Sequence, residues 1–379
     1  MKLIHLADLH LGKRVNGFSM IEDQRYILEK ISLIAEEEHP DAVLIAGDVY
    51  DKSVPSAEAV ELFDWFLVRL TDLGTKVFVI AGNHDSAERL SFGRQILGRE
   101  GVYLSPVFDG EIFSAVLEDS YGPVRIYLLP FVKPSQVRGV WPEDKIETYN
   151  DALHAAVGHT ELDLSIRNVL VTHQFITGSA RCESEECAVG GSDQVDAELF
   201  SAFDYVALGH LHGPQSIQRK NLRYAGSPLK YSFSEAGHEK SVTVIELLEK
   251  GETVIRTTAL KPLRDLKELR GTYEELTLQE FYAAAGCQND YVHITLTDEE
   301  EILHAAARLR VIYPNLLRLD YDNQRTRASS YTDEVETTVE QTPLELFSGF
   351  YKKQNGKPLG EQQTAYLSGL FEEVWGNMT

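Results

Sequence analysis

Apolar and polar positions fall into blocks of two kinds through the first third of the chain. Lys2 to Ala7, Ala42 to Ala46 and Val77 to Ala81 are apolar runs of strand length. Ile21 to Glu38 and Ala57 to Leu73 instead repeat their apolar residues at the three-to-four spacing of an amphipathic helix. That order predicts an α/β sandwich. β-Branched runs bounded by Gly, Pro or Asn continue it as strands at Arg125 to Leu129, Asn168 to Thr172, Tyr205 to Leu208, Val242 to Leu247 and Val254 to Thr258. The layered domain is expected to occupy residues 1–262.

Beyond Pro262 the pattern becomes that of a small α+β domain, residues 263–322. Its predicted elements are a helix at Leu278 to Ala285, a strand at Tyr291 to Thr297, a helix at Glu299 to Val311 and a strand at Leu316 to Tyr321. Residues 323–341 are rich in Thr, Ser, Glu and Arg and read as a flexible linker, because such a segment buries too little to offset its ordering entropy. Residues 342–379 hold two amphipathic helices, about Pro343 to Lys353 and Glu361 to Trp375. Leu344, Phe347, Phe350 and Tyr351 share a face of the first; Leu367, Leu370, Phe371, Val374 and Trp375 form an i, i+3, i+4, i+7, i+8 stripe on the second. Two short helices make too little core to bury such stripes between themselves, so docking on a partner is expected.

Composition narrows the picture by exclusion. The 379 residues are 43% hydrophobic, and 36 Lys and Arg stand against 59 Asp and Glu, a formal charge of -23. A balance that acidic excludes a protein held to DNA or anionic lipid by net charge. Cys182, Cys187 and Cys287 are too few for a disulfide framework and suit a reducing compartment. No apolar run has membrane-spanning length and the opening run is too short for a signal peptide, so a soluble cytoplasmic protein is expected. No Gly-x-x-x-x-Gly-Lys-Ser/Thr segment is present, so no P-loop is expected.

Five strand ends carry side chains that ligate metals. Asp8-Leu9-His10 follows the first strand, where an i, i+2 spacing on extended backbone would point both side chains one way. Gly47-Asp48-Val49-Tyr50-Asp51 follows the second, and also reads as a tight strand-exit turn. Gly82-Asn83-His84-Asp85 follows the third, where Asp85 or Ser86 equally reads as a helix cap. His173 ends the Val169 to Thr172 run, and Gly209-His210-Leu211-His212 follows Tyr205 to Leu208, again with two imidazoles at i, i+2. One such pair is unremarkable; five strand ends in one α/β domain point to a metal centre. Oxygen and imidazole donors without thiolate suit Mn, Fe or Zn better than Ca or Mg. Seven candidate ligands are too many for one ion, whereas two ions bridged by a carboxylate use them all and match a phosphoryl-transfer clamp.

Asp8-x-His10, Gly47-Asp48-x-x-Asp51, Gly82-Asn83-His84-Asp85, His173 and Gly209-His210-x-His212 together resemble the ordered motifs of the calcineurin-like metallophosphoesterases. The opening Lys2 to Gly12, Gly190 to Val195 and Tyr224-Ala225-Gly226-Ser227-Pro228 are similar to nuclease subunits that work with a coiled-coil ATPase. The resemblance implies a four-layer β-sandwich flanked by helices, with a small capping domain. It implies one metal on Asp8, His10, Asp48 and His212 and a second on Asp48, Asn83, His173 and His210, both ions Mn2+. His84 would be no ligand but a general acid or a stabiliser of the transition-state charge, and Asp51 either orients His84 or closes a turn. It further implies attack on DNA ends from the 3' side, on hairpins and on single strands, an SbcC-like ATPase partner, a homodimer within a heterotetramer, and a place in the bacterial nucleoid.

Basic residues follow the metal motifs: Lys13 and Arg14 after the first, Arg89 and Arg94 after the third. No acidic residue occurs from Tyr205 to Ser234, where Arg219, Lys220, Arg223 and Lys230 interleave with Tyr224, Tyr231 and Phe233. That segment reads as a groove tracking a DNA backbone, or as a solvated loop. Two rivals stand beside the nuclease: a small-molecule phosphodiesterase or phosphatase of the same fold, and a non-catalytic scaffold, which should have lost ligands.

Overall fold

The computed structural model describes residues 1–182, 185 and 194–323, and in the C-terminal segment residues 344, 347–349, 351–352, 358–360, 362–367 and 370. Two six-stranded sheets lie face to face. The first runs in the order Thr253–Ala259, Ser241–Leu247, Lys2–Leu6, Ala42–Ala46, Lys76–Ile80, Val102–Leu104, and its last four strands are parallel. The second runs Gln215–Ser216, Leu222–Tyr224, Tyr205–Gly209, Arg167–His173, Gly122–Leu129, Phe113–Asp119, with the middle four parallel. Leu3, Leu44, Phe78 and Ile80 of one sheet meet Ile126, Val169, Val171 and Ala207 of the other in a closed core.

Helices cover both outer faces, which completes four layers. The Ile21–Glu38 helix buries Ile27, Leu28, Ile31 and Ala35; it carries Glu22 and Asp23 in its first turn, where carboxylates favour the helix dipole. It stops at His39, which takes a left-handed φ of 46° just before Pro40. The Ala57–Asp72 helix is capped by Ser56, which accepts from the Ala59 amide, and buries Leu62, Phe63, Phe66 and Leu70. On the second sheet the Tyr149–Gly158 helix opens with a capping box between Thr148 and Asp151. Because Ala42–Ala46 is covered on both sides, all five of its residues are buried, which explains its unbroken apolar run.

Residues 1–322 form one compact unit. Within it, Leu266–Gly271, Tyr291–Leu296 and Leu316–Tyr321 make a three-stranded parallel sheet with helices at Tyr273–Thr277, Gln279–Ala285 and Ala305–Leu309. This small unit has its own core around Leu276, Val292, Ile294, Leu309 and Tyr313, and also lends Leu266, Tyr291 and Leu317 to the core under the Ile21–Glu38 helix.

The helix expected at Glu299 to Val311 is confined to Ala305–Leu309. Three consecutive glutamates repel one another at its start, and tertiary bonds claim the neighbouring groups. Asp298 accepts from the Tyr273 amide at 2.7 Å, and the Ile302 amide donates to the Tyr321 hydroxyl at 3.2 Å. In the C-terminal segment the described residues 344, 347–349, 351–352, 362–367 and 370 are helical.

Candidate metal centre

The parallel strands deliver their carboxyl ends to one place, and the backbone bends sharply there. Asp8, His10, Asp48 and His210 have φ of 54°, 45°, 49° and 102°, a conformation uncommon for residues with a side chain and here gathered four times at one place. Asp8 and His10 therefore do not share a side through extended backbone, as their spacing suggested. Their loop is stitched to the next strand exit instead: the Asp8 amide donates to the Gly47 carbonyl at 3.0 Å and the His10 amide to the Asp48 carbonyl at 2.9 Å. Glycine permits the close approach. A Cβ on Gly209 would lie 1.8 Å from the Ala46 carbonyl, and one on Gly82 would lie 2.4 Å from the Asp48 nitrogen.

Seven donors converge. His10 Nε2 and His212 Nε2 lie 3.1 Å apart. Asn83 Oδ1 lies 2.9 Å from His173 Nε2 and 3.0 Å from His210 Nδ1. Between these groups sits Asp48, its Oδ2 lying 3.7 Å from His10 Nε2 and 3.4 Å from His173 Nε2. Each aspartate spends one oxygen on the backbone: Asp8 Oδ1 accepts from the His210 amide at 3.0 Å and Asp48 Oδ1 from the His84 amide at 2.9 Å. The i, i+2 histidines divide, His210 going to Asn83 and His173, His212 to His10. Among the described residues, Asp8–His10–His212, His10–Asp48–His84 and Asp8–Asp48–His173 are triads whose ligand atoms lie within 4.8 Å of one another.

Electrostatics suit a cation. Burial drives His10 well below the usual imidazole range and His210 down to about 3, so both keep lone pairs free. Burial would lower His173 as well, but Asp48 beside it lifts it to about 9. A protonated His173 thus supplies positive charge where a metal would. Burial pushes Asp8 up to about 7, and its Oδ2 is buried without a hydrogen-bond partner. The donor set and that orphaned oxygen fit one or more divalent ions.

Surrounding groups fix the ligands, and the sequence did not single out most of them. His173 Nδ1 donates to the Ala46 carbonyl at 2.8 Å, which leaves Nε2 to the site. His212 Nδ1 is 3.2 Å from Glu235 Oε1, and buried Glu235 is itself held by Lys240 at 2.5 Å. Asp85 does not cap a helix; Ser86 does, accepting from Arg89. Instead the Asp85 carboxylate gathers the amides of Val49 (3.1 Å), Tyr50 (2.9 Å) and Gly82 (2.9 Å), tying two strand exits together. Glu235 and Lys240 carry no local signal, while Asp85 was legible as part of its motif.

His84 Nδ1 lies 3.1 Å from the Asp51 carbonyl and its Nε2 4.0 Å from Asp48 Oδ2, with the side chain still 18% exposed. The contact of Asp51 with His84 is made by its backbone carbonyl, not by its side chain. Its carboxylate goes elsewhere, to Lys13 Nζ at 2.7 Å, with His10 Nδ1 3.8 Å away.

The DNA-contact expectations are corrected in part. Tyr224 is fully buried, donating its hydroxyl to the Gln174 carbonyl at 2.8 Å, so it offers no stacking face. Lys230 is committed to Asp265 at 2.9 Å and to the Ala236 carbonyl at 2.7 Å. Arg223 is tied to Thr243 and Ser216, both at 3.2 Å. Arg219 donates to the Phe200 carbonyl, and with Lys220 it precedes a strand that runs parallel to Tyr205–Gly209 with Leu222 opposite Val206. Both thus sit roughly 15 Å from the ligands, at the far strand end, given about 3.3 Å per residue. Arg14 and Arg89 are exposed, Arg94 is half-buried, and Lys13 lies at the edge of the centre.

Of the apolar stripes, Leu344, Tyr351 and Leu367 are half-buried while Phe347 and Leu370 are exposed; Phe350, Phe371, Val374 and Trp375 lie outside the described residues. Cys187 and Gly190 to Asp193 lie outside them too, and Cys182 and Cys287 are free thiols. No described helix is long and apolar enough to cross a membrane.

A helix–sheet–sheet–helix sandwich with these donors at its strand ends is the architecture of a phosphoesterase, and the calcineurin-like phosphoesterase family matches residues 1–214. The chain belongs to that family. The Type 5 capsule protein repressor C-terminal domain matches residues 262–355. Over its whole length the chain is similar to proteins named as the SbcD component of the nuclease SbcCD. It is 34% identical over 384 residues to that of Staphylococcus epidermidis, covering 99% of both chains. With that of Staphylococcus saprophyticus subsp. saprophyticus it shares 33% over 382 residues, 98% of this chain and 99% of the other. Among solved structures, a dimetal phosphatase from Danio rerio is 12% identical with a TM-score of 0.40, over 68% of this chain and 96% of that one.

Proposed function

We propose that the chain is a metal-dependent DNA nuclease, the catalytic subunit of a complex whose ATPase is a separate SbcC-like coiled-coil chain, acting in end processing, repair and recombination. The supporting observation is the convergence of Asp8, His10, Asp48, Asn83, His173, His210 and His212 in a chain similar end to end to proteins named for that nuclease. Every expected ligand position is filled, which disfavours the scaffold reading.

Two divalent ions, Mn2+ by family resemblance, would be held by Asp8, His10, Asp48 and His212 and by Asp48, Asn83, His173 and His210, with Asp48 shared. When bound, such ions supply Lewis acidity toward a phosphodiester and toward water. The chain's own residues do the rest. His84 keeps Nδ1–H on the Asp51 carbonyl and turns Nε2 toward the centre, placed to give a proton to the departing ribose oxygen. Lys13, Arg14 and Arg89 lie on the motif loops, where their charge can meet a DNA backbone despite the acidic total. Attack from 3' ends and on hairpins is carried over from the resemblance.

The organisation we propose is a nuclease domain at 1–262, a capping domain at 263–322, a linker at 323–341 and an ATPase-docking pair of helices at 342–379. Phe92, between the short helices Ala87–Leu90 and Arg94–Leu97, and Ile96, within the second, are 84% and 71% exposed and would pair two copies. The complex would work in the bacterial cytoplasm, at the nucleoid. A manganese-supplemented assay on end-labelled duplex and hairpin DNA tests the function, with Asp48→Ala as control. Hydrolysis of bis(p-nitrophenyl) phosphate without any DNA cleavage would replace it with the small-molecule reading.

A further inference from the structure

Two pairs of adjacent residues each face in two directions. Asp23 is fully buried and accepts from Arg264 Nε at 3.0 Å and from the Tyr291 hydroxyl at 2.7 Å, groups that open or lie in the small three-stranded unit. Its neighbour Gln24 donates from Nε2 to the His10 carbonyl at 2.7 Å and accepts from the Gly12 amide at 2.9 Å. Lys230 pairs with Asp265, at the start of the small unit, at 2.9 Å. Its neighbour Tyr231 donates its hydroxyl to the Leu9 carbonyl. The two arms meet where Gln24 Nε2 reaches the Tyr231 oxygen at 3.1 Å.

Each arm thus runs from the small unit, through one peptide bond, to the backbone of the loop that carries His10. That loop needs holding, because His10 sits at a φ of 45°, which persists only when the surroundings over-determine it. Apolar packing couples the same parts: Met20, Leu229 and Tyr231 share a core with Leu266, Tyr291 and Leu317. Gln24 and Tyr231 are almost fully buried, so water cannot replace the bonds they make.

We propose that Asp23 and Lys230 are positioning residues that tie the seating of the small unit to the Leu9–His10 loop, and so set the metal affinity of the subsite built on His10 and His212. The proposal rests on the metal-centre reading above. A substrate or partner that draws the small unit aside would loosen this subsite and leave the one built on Asn83, His173 and His210 alone.

The test uses the full chain and Mn2+ alone, titrated by calorimetry. Tyr291→Phe with Asp265→Ala cuts one contact in each arm from the small unit's side and touches neither Gln24, Tyr231 nor any ligand. In an Asn83→Ala background, which retains the His10–His212 subsite, the two changes should weaken Mn2+ about tenfold, the scale of losing a group that orients a ligand. In a His10→Ala background, which retains the other subsite, the affinity should not move. Asp265→Glu in place of Asp265→Ala should recover part of the loss. Unchanged affinity in the first background overturns the coupling, and so does equal weakening in both. Should the combined variant be unfolded before titration, Tyr291→Phe, which removes a single hydroxyl, is put through the same comparison. Fewer than two Mn2+ on the unsubstituted chain would sink the metal-centre reading and the coupling with it.

Discussion

His10 Nε2 and His212 Nε2 face each other at 3.1 Å across a sequence separation of 202 residues. His212 Nδ1 is occupied by Glu235, and His10 Nδ1 is buried without a hydrogen-bond partner near the Asp51 carboxylate. Two imidazole nitrogens so placed need either a shared proton or a cation between them. The same choice recurs at Asp48, where protonated His173 faces the carboxylate at 3.4 Å. In both places the facing donor atoms are set as a divalent ion would need them.

Asp48 touches both halves of the centre, Asn83 only one. Asp48→Ala should therefore bind well under one Mn2+ per chain at micromolar supply, while Asn83→Ala should keep one. Elemental analysis after gel filtration decides it, and two retained ions in Asp48→Ala would falsify the shared role.

Because Asp48 lifts His173 to about 9, the imidazole is protonated in the metal-free chain at pH 8 and must lose that proton to ligate. Metal binding should release about one proton at pH 8, and affinity should climb as pH rises toward 9. Asp8, pushed up to about 7, works in the same direction: below that pH it is protonated and lost as a ligand, so affinity should fall further as pH drops. Calorimetry in buffers of different ionisation enthalpy measures the proton count; a count of zero at pH 8 rules the exchange out.

His84→Gln should leave Mn2+ stoichiometry and DNA affinity intact and lower kcat by about 100-fold to 10,000-fold, the range for removing a proton-transferring side chain. A kcat within a few-fold of the unsubstituted chain would make His84 structural, and loss of an ion would make it a ligand.

Glu235→Gln should cost about 10-fold to 100-fold in affinity at the His212 subsite, since the imidazole exchanges a charged carboxylate acceptor for a weaker neutral amide oxygen. It should also destabilise the fold by about 1–3 kcal/mol, because buried Lys240 loses its charged partner. Lower metal affinity without a lower melting temperature would mean that Lys240 finds another acceptor.

Deleting residues 342–379 should leave manganese-dependent cleavage of single strands unchanged while abolishing co-purification with the ATPase. Full-affinity binding by the truncated chain would remove the helices from the interface, and an unfolded truncation would return them to the core.

Local pattern carried a large part of the structure into view. The strands at Ala42–Ala46 and Leu316–Tyr321 and the Ile21–Glu38 helix stand where the apolar pattern puts them, the first as an unbroken run buried on both faces and the helix as a 3.6-residue repeat that needs only one face to be buried. All seven donors were legible because each follows an apolar strand at a Gly, Asp or His motif, and an unrelated tertiary role seldom demands that combination five times. The sequence alone thereby determined the donor types, the strand ends that bear them and the family. Which donor meets which was decided by the tertiary structure. His210 and His212 part company because the left-handed backbone at His210 turns successive side chains apart, and spacing cannot report that. Tyr224 lies under Gln174 instead of beside DNA, and the Asp51 carboxylate goes to Lys13 instead of His84. Glu235, Gln24, Tyr231 and Lys240 became part of the site only through folding. Their partners lie up to 222 residues away, a separation at which local periodicity carries no information and only the packing of two sheets against their helices assigns contacts.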